Sequence, residues 1–401
     1  MCVSCPFPGG TIGSILNESR KKRNRFRCAG EDFAQFRRYP ADAGKPGMLE
    51  KSHPCAYTVE RDTTPGLFSD KCWREFGRRM DAEDASMHEQ EKPRVVGVGA
   101  ANVDVHGQSR KAIVMRDSNP GFMATSVGGV TRNILENLAR QGMPVALLSA
   151  AGDDLYGEKI VRDSTQAGID MSHLLIKRGA VSSSYIAILD ERGDMLLGMS
   201  DMRIIEDLPT AYLDENASLL RGAEAIVCDA CLPVHLLDYL ISVTDDKTPV
   251  LIDPVSTAYA RQMEPIVGKF TAIKPNEMEL SILSGLPAET EAQIERACEA
   301  LLLRGVKRIA VSRGEKGCYY ADSDGNRLFH ALRPVSQMVN ATGAGDAFMA
   351  GFTHALVDGQ TVEEMLDYAL ASGITAIQSM TTINPEMSDM LVRENRNRYR
   401  L

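Results

Sequence analysis

Asn340-Ala341-Thr342-Gly343-Ala344-Gly345-Asp346-Ala347-Phe348, continued by Met349-Ala350-Gly351-Phe352, is the stretch from which the rest of the chain can be read. Small residues precede a carboxylate, and the carboxylate opens an apolar segment with helical spacing. Gly343, Ala344 and Gly345 let the backbone turn sharply and expose consecutive N–H groups at a helix N-terminus. Unpaired donors and the positive end of the helix dipole coincide there, so the turn suits an anion. An aspartate in the first turn is itself favoured as an anion by the same dipole. A phosphate cradle beside an ionised carboxylate supplies charge neutralisation and a proton acceptor, the two needs of phosphoryl transfer to a hydroxyl. The string also reads as an ordinary helix start with a capping aspartate. What accompanies it decides between the two.

Working outward, Arg94–Val105 reads as a buried strand with glycines. Val145–Ser149, Ala225–Cys228, Val250–Asp253, Phe270–Ile273 and Arg308–Ser312 are further short apolar or β-branched runs. Helical patterns over Thr131–Gln141, Glu158–Ala167, Pro233–Val243 and Ala288–Arg304 separate most of them. Strands alternating with helices predict a doubly wound, mostly parallel sheet covered on both faces. Val181–Asp190 and Met195–Met199 flank Glu191-Arg192-Gly193-Asp194 and predict a β-hairpin, placed as a lid over 181–199. Exposed Met195, Leu197 and Met199 would suit a homodimer interface; burial in a core would account for them equally. Thr361–Met380 is long enough for two helices.

The chain has 401 residues, 44% hydrophobic, enough for a sizeable α/β core. Its net charge of −9 argues against nucleic acid or an anionic membrane as the main partner. No stretch approaches the roughly 18 apolar residues that span a bilayer. Nine cysteines lack the spacing of a disulfide framework, and Cys228, Cys231, Cys298 and Cys318 sit in apolar contexts, so a reducing cytoplasm is expected. Residues 1–92 differ from the rest: they carry five of those cysteines and the basic run Arg20–Arg27, and read as a poorly ordered leader ahead of one domain at 93–401. Cys2-x-x-Cys5 lacks the second pair of a zinc site.

Four further clusters carry chemistry. Gly128-Gly129 opens a helix with Asn133 in its first turn, allowing close approach of a ligand and offering an amide to a hydroxyl. Asn102-Val103-Asp104 is expected at the carboxyl end of the first strand, where open α/β sheets bind ligands and where i, i+2 side chains point the same way. Asn276 and Glu279 have the spacing of a capping box, and Glu279 could also reach Mg²⁺ through water. Ser312-Arg313-Gly314-Glu315-Lys316-Gly317 either borders a nucleotide or connects a hairpin. No G-x-x-x-x-G-K-[ST] loop is present, and Gly97-x-Gly99 lacks the third glycine of a dinucleotide fingerprint.

In their order, these stretches resemble the ribokinase-like (PfkB) family of carbohydrate and nucleoside kinases, from Pro93 to about Pro385. Gly99–Asp104, Asp117-Ser118-Asn119-Pro120-Gly121, Gly128-Gly129-Val130-Thr131-Arg132-Asn133 and Ser182-Ser183-Ser184-Tyr185 are most similar to members that act on pseudouridine. Typical ribokinases and fructokinases lack the Asp-Ser-Asn-Pro-Gly element and the Val-x-Arg before the asparagine. The resemblance implies an ATP- and Mg²⁺-dependent kinase of the nucleoside's 5′-hydroxyl. It makes Asp346 the catalytic base and Gly343, Ala344 and Gly345 the anion hole. It assigns the ribose to Asn102, Asp104, Gly128, Gly129 and Asn133, the ATP to Asn276, Ser312, Gly314, Gly317 and Thr342, and the Mg²⁺ to Glu279. Many members start the rear motif with Asp-Thr; Asn340-Ala341 here leaves a monovalent cation without the ligand that such an aspartate provides.

Overall fold

The structure, a computed structural model, describes residues 92–400 apart from 246, 334, 336 and 337. The expected leader, apart from residue 92, lies outside the described residues, and so do Arg20–Arg27 and the Cys2, Cys5 pair. Fifteen strands are present among the described residues. In chain order they are β1 (Val95–Val98), β2 (Asn102–Ser109), β3 (Gly121–Gly128), β4 (Val145–Leu148), β5 (Ala150–Gly152), β6 (Ile169–Asp170), β7 (Leu175–Lys177) and β8 (Ser184–Leu189). β9 (Met195–Asp201), β10 (Ala225–Asp229), β11 (Val250–Asp253), β12 (Ala272–Ile273), β13 (Arg308–Ser312), β14 (Cys318–Asp322) and β15 (Arg327–His330) follow.

Nine of them form one sheet in the order β15-β14-β13-β12-β11-β10-β1-β4-β6. The pairs from β6 through β13 are all parallel, and β14 and β15 add an antiparallel edge. Side chains alternate across this sheet. Val96, Val98, Ile226, Cys228, Ile252, Ile309 and Val311 face one helical layer, built around Leu237, Leu240, Leu283 and Leu301. Val95, Val145, Leu147, Val227, Leu251 and Ala310 face the other, built around Leu135, Leu138, Phe352 and Tyr368. Both faces being covered, the strands read as near-continuous apolar runs rather than as alternating ones. The chain runs from β1 to β4 and β6 on one side and then returns to β10 on the other, which makes the β1/β10 crevice the switch point where such sheets take ligands.

Two sequence expectations change. The strand expected over Arg94–Val105 breaks at Gly99–Ala101, so Asn102 and Asp104 open β2 instead of ending the first strand. The hairpin is half of a larger unit: β3-β2-β8-β9 form a four-stranded sheet, with β2 parallel to β8 and antiparallel to β3. β3 escaped notice because Phe122-Met123-Ala124-Thr125 is exposed throughout and shows no polar alternation, and the far half of β2 because its buried positions after Val105 are Gly107 and Ser109, which carry little apolar signal. The region expected to hold two helices contains one, Val362–Ile377, because Ser379–Pro385 turns away before the helix Asp389–Tyr399.

Candidate active site

The crevice is organised by a buried carboxylate at the end of β10. Asp229 Oδ2 accepts from the Ala100 N–H at 2.9 Å, the Thr131 N–H at 3.0 Å and the Thr131 hydroxyl at 2.6 Å. It thereby ties the break after β1 to the helix Val130–Arg140. Gly129 caps that helix with φ 103°, and a Cβ there would lie 2.3 Å from Ala100 O, so only glycine fits. Asn133 follows in the first turn. Its Nδ2 donates to Asp346 Oδ2 at 2.9 Å, joining two motifs that are 213 residues apart.

Asp346 stands in the first turn of the helix Ala344–Val357, whose N-cap is Gly343 at φ 83°. A Cβ on Gly343 would meet Thr382 O at 2.1 Å. No side chain caps this helix. Among the described residues, the Gly343, Gly345 and Asp346 N–H groups find no acceptor, whereas Ala344 N donates to Ala341 O at 3.4 Å. Free amides at a helix N-terminus form an anion site, and Ala344 is the weakest member of the expected set.

Behind the turn lies a cation that sequence reasoning quoted without assigning. Lys274 is 6% exposed. Its Nζ pairs with Asp253 Oδ2 at 3.1 Å, and a Cβ on Gly345 would lie 3.2 Å from that nitrogen. Burial works against the ammonium, but Asp253 above all, with Glu279 and Asp346, holds its pKa above the ordinary lysine value. Burial pushes Asp346 itself up to about 7; the like charges of Asp253 and Asp229 add to the rise, and the Asn133 amide and Lys274 oppose it. The helix dipole favours the anion, yet burial first, with Asp253 and Asp229 adding to it, lifts this carboxyl above the ordinary aspartate value.

Asn102 Nδ2 donates to Asp104 Oδ1 at 2.6 Å, confirming that both side chains share one face. Burial raises the Asp104 pKa, against the Asn102 amide, His106 and Arg132. Asn276 and Glu279 form the capping box that the spacing predicts, with Asn276 N to Glu279 Oε2 at 2.9 Å and Glu279 N to Asn276 Oδ1 at 2.9 Å. Burial raises the Glu279 pKa, with Asp253 adding to it. A β-bridge pairs Asn276 with Ser312 at the ends of β12 and β13. Gly314 and Gly317 lie in the turn between β13 and β14, a hairpin connector. Thr342 is exposed, and its N–H donates to Asn340 Oδ1 at 3.0 Å. Asn340 Nδ2 donates to Met380 O at 3.1 Å. Sequence reasoning missed Asp229, Asp253 and Lys274. The signal was there in their position, since each closes or follows a parallel strand at its carboxyl end.

The profile of the pfkB family carbohydrate kinases matches residues 92–389. The chain belongs to that family. This kinase is accordingly a phosphotransferase with a sugar or nucleoside alcohol as acceptor. It is 34% identical over 300 residues to the pseudouridine kinase of Escherichia coli, covering 75% of this chain and 95% of that protein. A crystal structure of a putative sugar kinase from Clostridium perfringens superposes with a TM-score of 0.70 at 31% identity, covering 77% of this chain and 96% of that one. Arabidopsis thaliana ribokinase, solved with ribose and ATP, gives 0.67 at 23% identity over 76% of this kinase and 99% of its own chain. The fold is ribokinase-like. Among the described residues, no helix is long and apolar enough to cross a membrane.

Proposed function

We propose that the enzyme transfers the γ-phosphoryl group of ATP to the 5′-hydroxyl of pseudouridine, giving pseudouridine 5′-phosphate and ADP. One observation carries the reading: Asp346 lies beside free backbone N–H groups, next to the buried Lys274 and within hydrogen-bond reach of Asn133. In the loose transition state of phosphoryl transfer, charge spreads over the transferring oxygens, which the amides and the lysine ammonium stabilise. Asp346 then orients the acceptor hydroxyl and takes its proton. With a pKa near 7, it is a stronger base than an ordinary carboxylate while still ionised in a useful fraction at neutral pH. Asn102, Asp104 and Asn133 would hold the ribose.

The donor set fits a Mg²⁺ that keeps most of its waters. Glu279 spends Oε2 on the capping box, leaving Oε1 free for such a water, with Asp253 near the same lysine. Among the described residues, no group of three or more acidic, His or Cys side chains could cage a metal by itself. Bound with ATP, Mg²⁺ would supply charge neutralisation at the phosphates. To a monovalent cation Asn340 offers only a neutral amide oxygen, which already accepts from the Thr342 N–H.

Support for pseudouridine comes from the Asp117–Gly121 element, the Val130-x-Arg132 spacing and the likeness to the Escherichia coli enzyme. The sheet β3-β2-β8-β9 extends beyond Asp104 and would close over the nucleoside, excluding water. Phe122, Met123, Leu197 and Met199 are each more than half exposed on it, an apolar surface that a second copy of the enzyme would cover. Initial rates with ATP and Mg²⁺ on pseudouridine, uridine, ribose and fructose test the substrate. The reading expects pseudouridine to be preferred; turnover of the other three alone would reassign the acceptor.

A further inference from the structure

A second buried cation sits behind the site, and the mechanism above makes no use of it. Arg132 is 3% exposed, and its three guanidinium nitrogens go to three different groups. Nε donates to Ser164 Oγ at 3.1 Å, Nη2 pairs with Glu136 Oε2 at 2.5 Å, and Nη1 donates to Asn133 Oδ1 at 3.4 Å. Glu136 is itself shared with Arg140 at 2.7 Å, so its charge is compensated without Arg132. Burying a further guanidinium carries a desolvation cost, which lowers the Arg132 pKa. Two contacts set Arg132 apart from Arg140, those to Ser164 and Asn133, and the one to Asn133 leads on to Asp346.

An asparagine amide has two orientations of almost equal shape and opposite polarity. A cation can lie only against the oxygen. With Oδ1 turned to Arg132, the NH₂ is left to face Asp346, where it stands at 2.9 Å. In the flipped orientation, the amide oxygen would oppose the carboxylate, and Asp346 would lose its donor. We propose that Arg132 is a positioning residue, whose guanidinium holds the Asn133 amide so that its NH₂ donates to the base Asp346. The inference rests on the assignment of Asp346 as base, and it gives the Val-x-Arg spacing a physical purpose.

The charged groups around Asp346 are Asp253, Asp229 and Lys274, and those around Arg132 are Glu136, Asp163, Arg140 and Asp104. Arg132→Lys keeps the charge opposite Glu136 but cannot serve three partners, so it isolates the hydrogen bond from the Coulomb effect. The experiment is a carbon-13 NMR titration of the Asp346 carboxyl in the full chain, the resonance being assigned by its loss in Asp346→Asn. In the wild type the midpoint is expected near 7. In Arg132→Lys it should rise by about one pH unit, and the acid limb of kcat/KM should move with it. With Asn133→Ala already present, Arg132→Lys should add no further shift. An unmoved midpoint in Arg132→Lys, or an equal shift with and without Asn133, would overturn the proposal. Should the lysine variant not fold, Arg132→Met with Glu136→Gln removes both buried charges and carries the same expectations. Lack of turnover in the wild type would reject the kinase reading, while the carboxyl titration still decides the role of Arg132.

Discussion

The ends of β1, β10, β11 and β12 and the sheet β3-β2-β8-β9 are built on opposite principles. At the strand ends, Asp229, Asp253, Lys274, Asn133 and Arg132 are all buried, and each has a named partner within hydrogen-bonding or ion-pairing distance. In the smaller sheet, β9 is exposed over six of its seven residues, and β3 over six of its eight. Large apolar side chains such as Met123 and Leu197 lie open there. Fixed donors lower a barrier only if they need no reorganisation, so they belong on the rigid sheet. A cover must open and close, and the more exposed sheet, which we propose closes over the nucleoside, suits that task. On the proposed function, the difference assigns chemistry and enclosure to separate packing regimes, which Asn102 and Asp104 join at the start of β2.

Substitutions can break this division at either end. The largest effect is expected at the rigid end. Asp346→Asn should lower turnover by about 10²-fold or more while leaving the affinity for ATP within a few-fold, as single-turnover kinetics and nucleotide titration would show. At the junction, Asp104→Ala should raise KM for the nucleoside by roughly 10- to 100-fold with little change in KM for ATP, because the proposed function places only the acceptor there. A comparable rise for ATP would place Asp104 elsewhere.

The pH dependence comes next. Since the base must be ionised, kcat/KM should fall about tenfold per pH unit below 7, the value to which burial lifts Asp346. The same shift has a stability consequence of definite sign. A carboxyl raised from 3.8 to about 7 is penalised when ionised, so the native state loses stability as pH rises through that window. Asp346→Asn removes the penalty and should raise the thermal midpoint at pH 8, by the equivalent of roughly 1–2 kcal/mol after allowance for partial exposure, with no gain at pH 3. A variant less stable at pH 8 would contradict the electrostatics.

The smallest catalytic effect is expected from the open sheet. Leu197→Glu with Met199→Glu should shift sedimentation from dimer to monomer and lower activity only severalfold. Unchanged sedimentation would mean that another copy does not cover this face.

How much was legible beforehand follows the same division. Gly343–Asp346 and Gly128–Asn133 could be read because small residues before a helix have a local backbone cause, confirmed by φ values of 83° at Gly343 and 103° at Gly129. The parallel strands announced themselves as continuous apolar runs. β3 did not, because six exposed residues followed by two buried ones have no single period, and in β2 the buried positions after Val105 are Gly107 and Ser109. Lys274 and Asp253 could not be paired from sequence, since the contact depends on β11 and β12 lying side by side. The pKa of Asp346 was misjudged for a related reason. Its helix position is local, but the burial that dominates the shift comes from the packed fold, and the carboxylates that add to it come from β10 and β11.

Phosphorus-31 NMR of a reaction with ATP, Mg²⁺ and pseudouridine addresses the central claim most directly. The account predicts a phosphomonoester at the 5′ position appearing in step with ADP, and its loss on Asp346→Asn. Formation of inorganic phosphate without any phosphomonoester, or an undiminished yield from Asp346→Asn, would contradict it.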